Sequence, residues 1–255
     1  MQLKEITPLV LTYNEQDNLE RTLVALNWAA RIVIVDSGST DKTLEILRRF
    51  DQVEVYGRSF DNFAAQRNFG LEQISTPWVL SLDADHVISP GTREEIARLD
   101  PASDVSFAAP FRYLVWGRAV RCAILPPRPV LFRLEGARYE PDGHAERLRV
   151  NGPQGRLTQA IAHDDRKPLA RWVASQDRYA REEAHKLLTA PGLSKADWVR
   201  RHIPFAPLLV FFHVLLLRGG IFDGRRGWFY AWQRLLAEVN LALHLLDRRG
   251  SGAGS

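Results

Sequence analysis

The sequence predicts an α/β fold with a mostly parallel central sheet, followed by apolar and amphipathic helices toward the carboxyl terminus. Apolar strand candidates alternate with helical segments through the first hundred residues, an order that is typical of parallel sheets. Acidic residues end two of these strands, at Asp36 and at the pair Asp83 and Asp85. Open α/β sheets bind ligands at the carboxyl ends of their strands, so this pattern indicates a nucleotide site.

The strand candidates are four apolar runs, at 6–11, 31–36, 53–56 and 78–82. Between the first two, Asn14 is expected to cap a helix that continues through residues 15–19. The turn at 37–41 opens a helix over 41–50. Asp61 is expected to cap the helix that carries Gln66, Arg67 and Asn68. Each strand is therefore followed by a helical crossover, as a parallel sheet requires.

Asp83 and Asp85 lie two residues apart at the end of a strand that is apolar enough to be buried. Two carboxylates crowded on one rim are tolerated mainly when a cation joins them. Hard oxygen ligands with room for phosphate suit Mg²⁺ or Mn²⁺. A plain surface loop is the competing interpretation, because Asp-x-Asp is common in such loops.

Four segments, taken together and in this order, closely resemble family-2 glycosyltransferases. They are Leu11-Thr12-Tyr13-Asn14-Glu15, Val35-Asp36-Ser37-Gly38-Ser39-Thr40-Asp41, Gln66-Arg67-Asn68 and Asp83-Ala84-Asp85. The resemblance implies the GT-A fold, an inverting reaction and a nucleotide-sugar donor.

The resemblance also implies roles for individual residues. Thr12 and Glu15 would flank the nucleoside, and Asp36 would pair with the base. Arg67 would approach the base or a phosphate, Asp83 the ribose, and Asp85 would hold the metal ion. His86 departs from the acidic or polar residue often found after this motif. The alternatives for His86 are a further metal ligand and a surface residue, and we expect a surface residue.

Length and composition agree with a globular enzyme of one domain plus an appendage. The chain has 255 residues, 45% of them hydrophobic and 25% charged, which argues against disorder. The single cysteine, Cys122, excludes an intramolecular disulfide. The amino-terminal residues do not resemble a signal peptide, so we expect a cytoplasmic location.

Charge is distributed unevenly. Residues 1–110 contain 10 Lys and Arg and 17 Asp and Glu, a balance of −7, whereas residues 111–255 contain 24 and 13, a balance of +11; together they give the net +4 of the chain. A basic second half predicts an anionic partner, either a phosphorylated glycan or a membrane surface. Nucleic acid is not expected, because no recognised binding motif accompanies the charge.

The segment 203–217 is almost wholly apolar, yet shorter than the roughly 20 residues that a spanning helix needs. Arginines flank it, and an aromatic cluster at 228–232 follows, with further apolar residues at helical spacing up to Leu246. Aromatics beside arginines favour a segment that lies in the membrane interface. Two core helices packed on the catalytic domain are the alternative.

The middle of the chain is expected to build the acceptor side. An inverting transfer needs a carboxylate to deprotonate the acceptor hydroxyl and a cation to stabilise the leaving diphosphate. His163 can supply a neutral nitrogen to the metal ion, while Glu146 or Asp164 can supply the base.

A second resemblance, to the lipopolysaccharide-core β-1,4-glucosyltransferase subgroup of family 2, rests on two segments. They are His163-Asp164-Asp165-Arg166-Lys167-Pro168-Leu169, with Trp172, Gln176, Tyr179 and Ala180 beyond it, and Gly219-Gly220-Ile221-Phe222-Asp223-Gly224 with Gly227-Trp228. In that subgroup a His-Glu pair precedes the later histidine, whereas here Ala145 separates His144 from Glu146. Glu146 is our first candidate for the base and Asp164 the second.

We therefore expect a GT-A domain over 1–190, with a nucleotide-sugar half (1–110) and an acceptor half (111–190), a membrane-associating helical region over 191–249 and a flexible tail over 250–255. The resemblances imply a metal-dependent enzyme that moves glucose from UDP-glucose to an inner-core heptose of lipopolysaccharide, at the cytoplasmic face of the bacterial inner membrane. The alternatives are a polyprenyl-phosphate glycosyltransferase and a non-catalytic nucleotide-binding scaffold.

Overall fold

The computed structural model describes residues 1–143 and 145–252, with side chains up to residue 248. His144 and residues 253–255, the last part of the expected tail, lie outside the described residues. The chain divides into two compact units, the first holding most of residues 1–167 and the second mainly the residues from 168 onward. The helix Leu169–Thr189, which we had assigned to the acceptor half, belongs to the second unit.

The described residues form thirteen strands. They are β1 (Ile6–Thr12), β2 (Ile32–Asp36), β3 (Val53–Gly57), β4 (Trp78–Asp83), β5 (His86–Val87), β6 (Ser106–Ala109), β7 (Phe111–Val115), β8 (Arg118–Ala119), β9 (Arg128–Arg133), β10 (Arg138–Asp142), β11 (Ala145–Arg149), β12 (Gln154–Arg156) and β13 (Ile161–His163). The four strands predicted in the first hundred residues are present, each within one or two residues of the expected ends.

Eight α-helices are described. They are α1 (Leu19–Ala25), α2 (Thr43–Leu47), α3 (Phe63–Glu72), α4 (Pro90–Arg98), α5 (Leu169–Thr189), α6 (Lys195–His202), α7 (Ala206–Phe212) and α8 (Arg225–Gly252). Among the described residues, no helix is both long and apolar enough to cross a membrane.

The central sheet of the first unit has seven strands in the order β12-β6-β9-β4-β1-β2-β3. The pairs within β4-β1-β2-β3 and the pair β6-β12 are parallel, and only β9 runs antiparallel to its neighbours. Both faces are covered, because alternate residues of β2, such as Ile34 and Val35, are buried in two different apolar clusters. The predicted fold class, α/β with a mostly parallel sheet, is confirmed.

A small sheet of the same unit brings distant segments together. β13 pairs antiparallel with β5, so that His163 lies opposite His86, and parallel with β7, so that His163 also lies opposite Tyr113. The register therefore lines up two histidines that are 77 residues apart in the chain.

Two predicted helix starts are wrong. Asn14 does not cap a helix, because it adopts the left-handed conformation (φ 56°) and α1 begins only at Leu19. Asp61 pairs with Arg58, and the neighbouring Asn62 caps α3 by accepting a hydrogen bond from the amide of Ala65. The cap of α3 is therefore the residue after the predicted one, whereas no side-chain hydrogen bond caps the start of α1.

The second unit is helical. Ala180, Ala184, Leu187, Leu241 and Leu245 pack α5 against α8. Arg200 on α6 binds buried carboxylates of both helices, Glu183 at 3.2 Å and Glu238 at 2.9 Å. After α7 the chain makes a π-helical turn (His213–Leu217) and a 3-10 turn (Gly220–Asp223) before α8 begins.

Candidate active site

The site lies at the carboxyl ends of β1, β2 and β4. β1 lies between the other two strands, and the register puts Thr12 opposite Asp36 and Leu11 opposite Asp83. Because all three strands are parallel, the side chains that follow them meet at one rim. Three predicted nucleotide residues, Thr12, Asp36 and Asp83, are thus brought together as the sequence predicted.

Asp36 organises the turn that follows β2. One carboxylate oxygen accepts hydrogen bonds from the amides of Gly38 (3.0 Å) and Ser39 (2.8 Å), and the other from the hydroxyls of Ser39 (2.6 Å) and Thr12 (2.7 Å). Gly38 is in the left-handed region (φ 86°), where a side chain would be strained. A carboxylate has about four acceptor positions, so a nucleobase would replace one of these bonds.

Asn14 joins the loops after β1 and β2. Its left-handed backbone turns the amide oxygen toward the second loop, where it accepts hydrogen bonds from the amides of Thr40 (2.7 Å) and Asp41 (3.2 Å). The backbone amide of Asn14 donates to the hydroxyl of Ser39 at 2.7 Å. The position thus fixes the two loops that carry Thr12, Glu15 and Asp36.

Arg67 on α3 is buried and links two acidic site residues. Its guanidinium donates to Glu146 (2.7 Å), to Ser81 (2.8 Å) and to Asp83. A side chain at Gly70, one turn later, would collide with Leu9 of the sheet, so this glycine lets α3 lie close enough for Arg67 to reach β4. Burial alone would lower the pKa of Arg67, but Glu146 and Asp83 raise it overall.

The link made by Arg67 was not predicted. Its expected contact with the base or a phosphate remains a prediction, because in this structure the guanidinium donates to the chain itself. The bond from Arg67 to Glu146 also orients this carboxylate, which is our first candidate for the base. The side chain of Glu146 is 14% exposed.

Asp85, His86 and His163 form a cluster in which one potential ligand atom of each lies within 4.8 Å of the others. Nε2 of His163 is 3.5 Å from Asp85, and Nδ1 of His163 is 3.3 Å from Nε2 of His86. One oxygen of Asp85 is buried without a hydrogen-bond partner among the described residues. A buried, unpartnered carboxylate oxygen beside an imidazole is a donor set that fits a divalent cation.

The expectation that His86 is a surface residue is wrong, because its side chain is buried. The amide of Asp83 donates to Nδ1 of His86 at 3.1 Å, so a neutral His86 carries its proton on Nε2 and turns it toward His163. His86 therefore orients the ring of His163 by donating to its Nδ1. In this tautomer Nε2 of His163 carries the proton, so a cation bound at Nε2 would reverse the hydrogen bond between the two histidines and break the one from Asp83 to His86.

Burial and neighbouring charges fix the protonation of this cluster. Burial lowers the pKa of His86 to about 4, although Asp83 and Asp85 partly oppose the shift. Burial alone would raise the pKa of Asp85, but His163, His86 and Lys167 lower it overall. At neutral pH the cluster therefore offers a charged carboxylate and an uncharged His86, and deprotonated groups are what a metal ion binds.

Asp164, the second candidate for the base, is more enclosed than Glu146. Its amide donates to the carbonyl oxygen of Asp85 at 3.0 Å. One carboxylate oxygen is paired with Arg166 (2.7 Å) and Arg21 (3.5 Å), and only 6% of the side chain is exposed.

Lys167 and Asn18 are site residues that the sequence analysis missed. Nζ of Lys167 binds Glu15 at 2.9 and 3.0 Å and Asp165 at 3.3 Å. The side-chain amide of Asn18 donates to both of these carboxylates at 2.9 Å. Burial alone would lower the pKa of Lys167, but Asp85, Glu15 and Asp165 raise it overall. The run of two acidic and two basic residues at 164–167 was the available signal.

Replacement of Lys167 by Met is expected to destabilise the chain by about 2 kcal/mol. It leaves Glu15 and Asp165 largely buried without their cation, and breaking a buried pair costs about 3–5 kcal/mol, which their partial exposure reduces. Urea unfolding measures the change, with Lys195→Met on the exposed start of α6 as the control. Equal stability of the two variants would contradict a structural role for Lys167.

Two solved structures share this fold. The mannosyltransferase PcManGT of Pyrobaculum calidifontis, in complex with GDP-Man and Mn²⁺, has a TM-score of 0.57 at 14% identity over 95% of this chain and 87% of that chain. Residues 1–349 of TarS of S. aureus, in complex with UDP-GlcNAc, have a TM-score of 0.51 at 16% identity over 96% and 92%. At such identities the likeness shows the fold alone, which is that of the GT-A glycosyltransferases.

The sequence comparisons also find similarity to glycosyltransferases. Residues 9–120 match the model of glycosyl transferase family 2, and these residues include the rim from Thr12 to His86. This match confirms the resemblance to family-2 glycosyltransferases that the four motifs predicted.

The relatives match over the same part of the chain. The lipopolysaccharide core biosynthesis glycosyltransferase LpsC of Rhizobium meliloti (strain 1021) is 33% identical over 103 residues, 39% of this chain and 38% of that protein. An uncharacterized glycosyltransferase of Rickettsia bellii (strain RML369-C) is 31% identical over 94 residues, 36% and 32% respectively. The chain thus spans about a third of the length of these relatives.

Proposed function

We propose that this chain catalyses an inverting transfer of a sugar, glucose by our expectation, from a UDP-sugar to a bacterial glycan. The observation that carries the proposal is the rim itself. Asp36, Asp83 and Asp85 meet at the carboxyl ends of three parallel strands, and a family-2 glycosyltransferase domain covers that rim.

The chain's own residues would bind and orient the donor. Asp36 and Thr12 lie at the end of the sheet where the uridine is proposed to bind, with Glu15 on the adjoining loop. Asp83, whose side chain is 38% exposed beside Arg67, is open to the ribose. TarS was solved with UDP-GlcNAc, whereas PcManGT was solved with GDP-Man, so the nucleotide has to be tested directly.

Asp85 and His163 would hold a divalent cation, with His86 orienting His163. A mixed carboxylate and imidazole set favours Mn²⁺ over Mg²⁺, because Mg²⁺ prefers oxygen ligands. When bound, the cation supplies positive charge that stabilises the diphosphate leaving group.

Glu146 is proposed as the general base, with Asp164 as the alternative. Arg67 holds one oxygen of Glu146 at 2.7 Å, which fixes its orientation. Two arginines share one oxygen of Asp164, and its side chain is 6% exposed against 14% for Glu146, so Asp164 is the less accessible to an acceptor hydroxyl.

The proposed acceptor is a phosphorylated or lipid-anchored glycan, such as the inner-core heptose of lipopolysaccharide. The relative LpsC, named for lipopolysaccharide core biosynthesis, and the resemblance of residues 163–169 support it. We propose that the chain works at the cytoplasmic face of the inner membrane as a peripheral protein. Polyprenyl phosphate is the second candidate acceptor.

A mass-spectrometric assay of nucleotide-sugar donors against truncated core oligosaccharide and polyprenyl phosphate tests this function. A product of one added hexose on the oligosaccharide, formed from UDP-glucose, is the expected result. Product on polyprenyl phosphate alone would favour the second acceptor. Bound UDP-sugar with neither transfer nor hydrolysis would identify a non-catalytic scaffold instead.

Asp36→Asn is expected to weaken UDP binding about tenfold while the fold persists. The retained oxygen can still accept from the amides of Gly38 and Ser39, whereas the new amide group faces hydroxyls that can accept from it. The imide N–H of uracil would lose its charged acceptor, and an unpaired buried polar group costs roughly 1–3 kcal/mol. Titration calorimetry with UDP measures the effect. Unchanged affinity would remove Asp36 from the nucleotide site.

A further inference from the structure

Large apolar side chains project from the turn that joins α7 to α8. Leu217 and Phe222 are 80% and 82% exposed, the highest values among the large hydrophobic residues with described side chains. Leu216 and Ile221 beside them are also exposed. We call these four residues the apolar tip.

The backbone of the tip is held firmly. The carboxylate of Asp223 accepts hydrogen bonds from the amides of Arg121 (2.8 Å) and Cys122 (3.2 Å). A side chain at Gly227 would collide with the carbonyl oxygen of Gly220, so the start of α8 packs tightly on the 3-10 turn. The exposed side chains are therefore presented by an ordered turn.

An apolar row continues from the tip along α8. Trp232, Leu236, Val239, Leu243 and Leu246 are exposed and follow one another at intervals of three or four residues. That spacing keeps them on one face of the helix. A contiguous apolar surface of this kind marks an interaction site.

The charge around this surface selects the partner. Residues 203–246 contain two acidic residues, Asp223 and Glu238, and their side chains are only 7% and 4% exposed because both are paired with arginines. Arg218 and Arg225 flank the tip and are exposed. The exposed charge of residues 203–246 is therefore positive, which suits an anionic lipid surface.

The dimensions indicate shallow insertion. α7 and the π-helical turn together run from Ala206 to Leu217, and these twelve residues extend roughly 18 Å at 1.5 Å per residue. The hydrocarbon core of a bilayer is about 30 Å thick. The segment fits the depth of the headgroup and acyl boundary, where exposed arginines remain among the lipid phosphates.

We propose that the apolar tip inserts into an anionic bilayer and anchors this chain there as a monotopic protein. The proposal deepens the peripheral location given above, on which it rests, and names the segment that makes the contact. It requires neither a donor nor an acceptor, so a failure of the proposed reaction would leave it unaffected.

The test compares the full-length chain with the double variant Leu217→Glu/Phe222→Glu in sedimentation with phosphatidylglycerol-containing vesicles. Both positions are exposed, so the fold should persist. The double variant loses two inserted side chains and gains two negative charges. We therefore expect it to bind the vesicles at least about 100-fold more weakly than the parent does. Val24→Glu/Val55→Glu, at two other exposed apolar positions of the chain, is the control that adds the same charge and should bind as the parent does.

Two further measurements keep the result decisive. Binding of the parent should fall when phosphatidylcholine replaces phosphatidylglycerol, and circular dichroism should show both double variants folded. Equal vesicle binding by the tip variant and the parent would overturn the proposal. A parent that does not bind vesicles but self-associates in ultracentrifugation, with the tip variant monomeric, would overturn it in favour of a second copy of the chain.

Discussion

Asp85→Ala is expected to abolish sugar transfer and leave the α/β domain folded. Asp85 provides the charged ligand of the candidate cation site, and one of its oxygens is buried without a hydrogen-bond partner. Because His163 and Lys167 stabilise the charged carboxylate overall, its removal should cost some stability, while the apolar core keeps the domain folded. The leaving diphosphate would lose its counter-charge, a loss of several kcal/mol in transition-state stabilisation, or at least about 100-fold in kcat.

Direct measurement of Mn²⁺ binding separates this role from a general defect. Asp85→Ala should bind no Mn²⁺ by titration calorimetry, whereas His163→Ala should bind it weakly and recover activity at high Mn²⁺ concentration. EDTA should inactivate the parent, and Asp51→Ala, an exposed acidic position, should behave as the parent does. Full activity of the parent in EDTA would exclude a metal role for Asp85.

The strands β1 to β4 were predictable because their signal is local. Apolar runs such as those of β2 and β4 are buried on both faces of a parallel sheet, and this requirement is written in consecutive residues. The acidic residues that follow such strands must lie at one rim once the strands are parallel. The positions of Asp36, Asp83 and Asp85 follow from this argument alone.

The wrong predictions concern contacts between distant segments. The burial of His86 results from the pairing of β5 with β13, which brings in His163 from 77 residues away. The ion pair between Arg67 and Glu146 spans 79 residues. Neither partner carries a local signal for the other, so propensity and periodicity could not find them.

Asn14 illustrates a second kind of limit. An Asn followed by Glu and Gln is a reasonable helix start by capping rules, and the sequence offers no sign that its backbone is left-handed. The choice is made by the loop 38–41, whose amides need an acceptor that Asn14 provides. Capping and loop bonding compete for the same side-chain oxygen, and the tertiary contact prevails.

The two base candidates can be distinguished by conservative substitution. Glu146→Gln is expected to lower kcat by about 10²–10⁴, the usual value of a general base, with UDP binding unchanged. The amide oxygen of Gln can still accept from Arg67, so the shape of the site is kept while the proton acceptor is lost. Single-turnover transfer and UDP calorimetry measure the two quantities.

Because Arg67 also binds Asp83, a displaced guanidinium is an alternative cause of lost activity in Glu146→Gln. Ser81→Ala is the matched control, since it removes another bond of Arg67, at 2.8 Å, without touching a carboxylate. It should retain most of the activity. Glu146→Gln, in contrast, should lose most of kcat while UDP binding stays unchanged, a split that a merely structural role would not produce.

Asp164→Asn completes the comparison. It leaves Arg21 and Arg166 beside an uncharged group, so we expect lower stability and a modest effect on kcat. If Asp164→Asn instead remained as stable as the parent and lost the rate with UDP binding unchanged, while Glu146→Gln stayed active, Asp164 would be the base. Glu146 would then act by holding Arg67 against Asp83, a positioning role that the ion pair at 2.7 Å already supports.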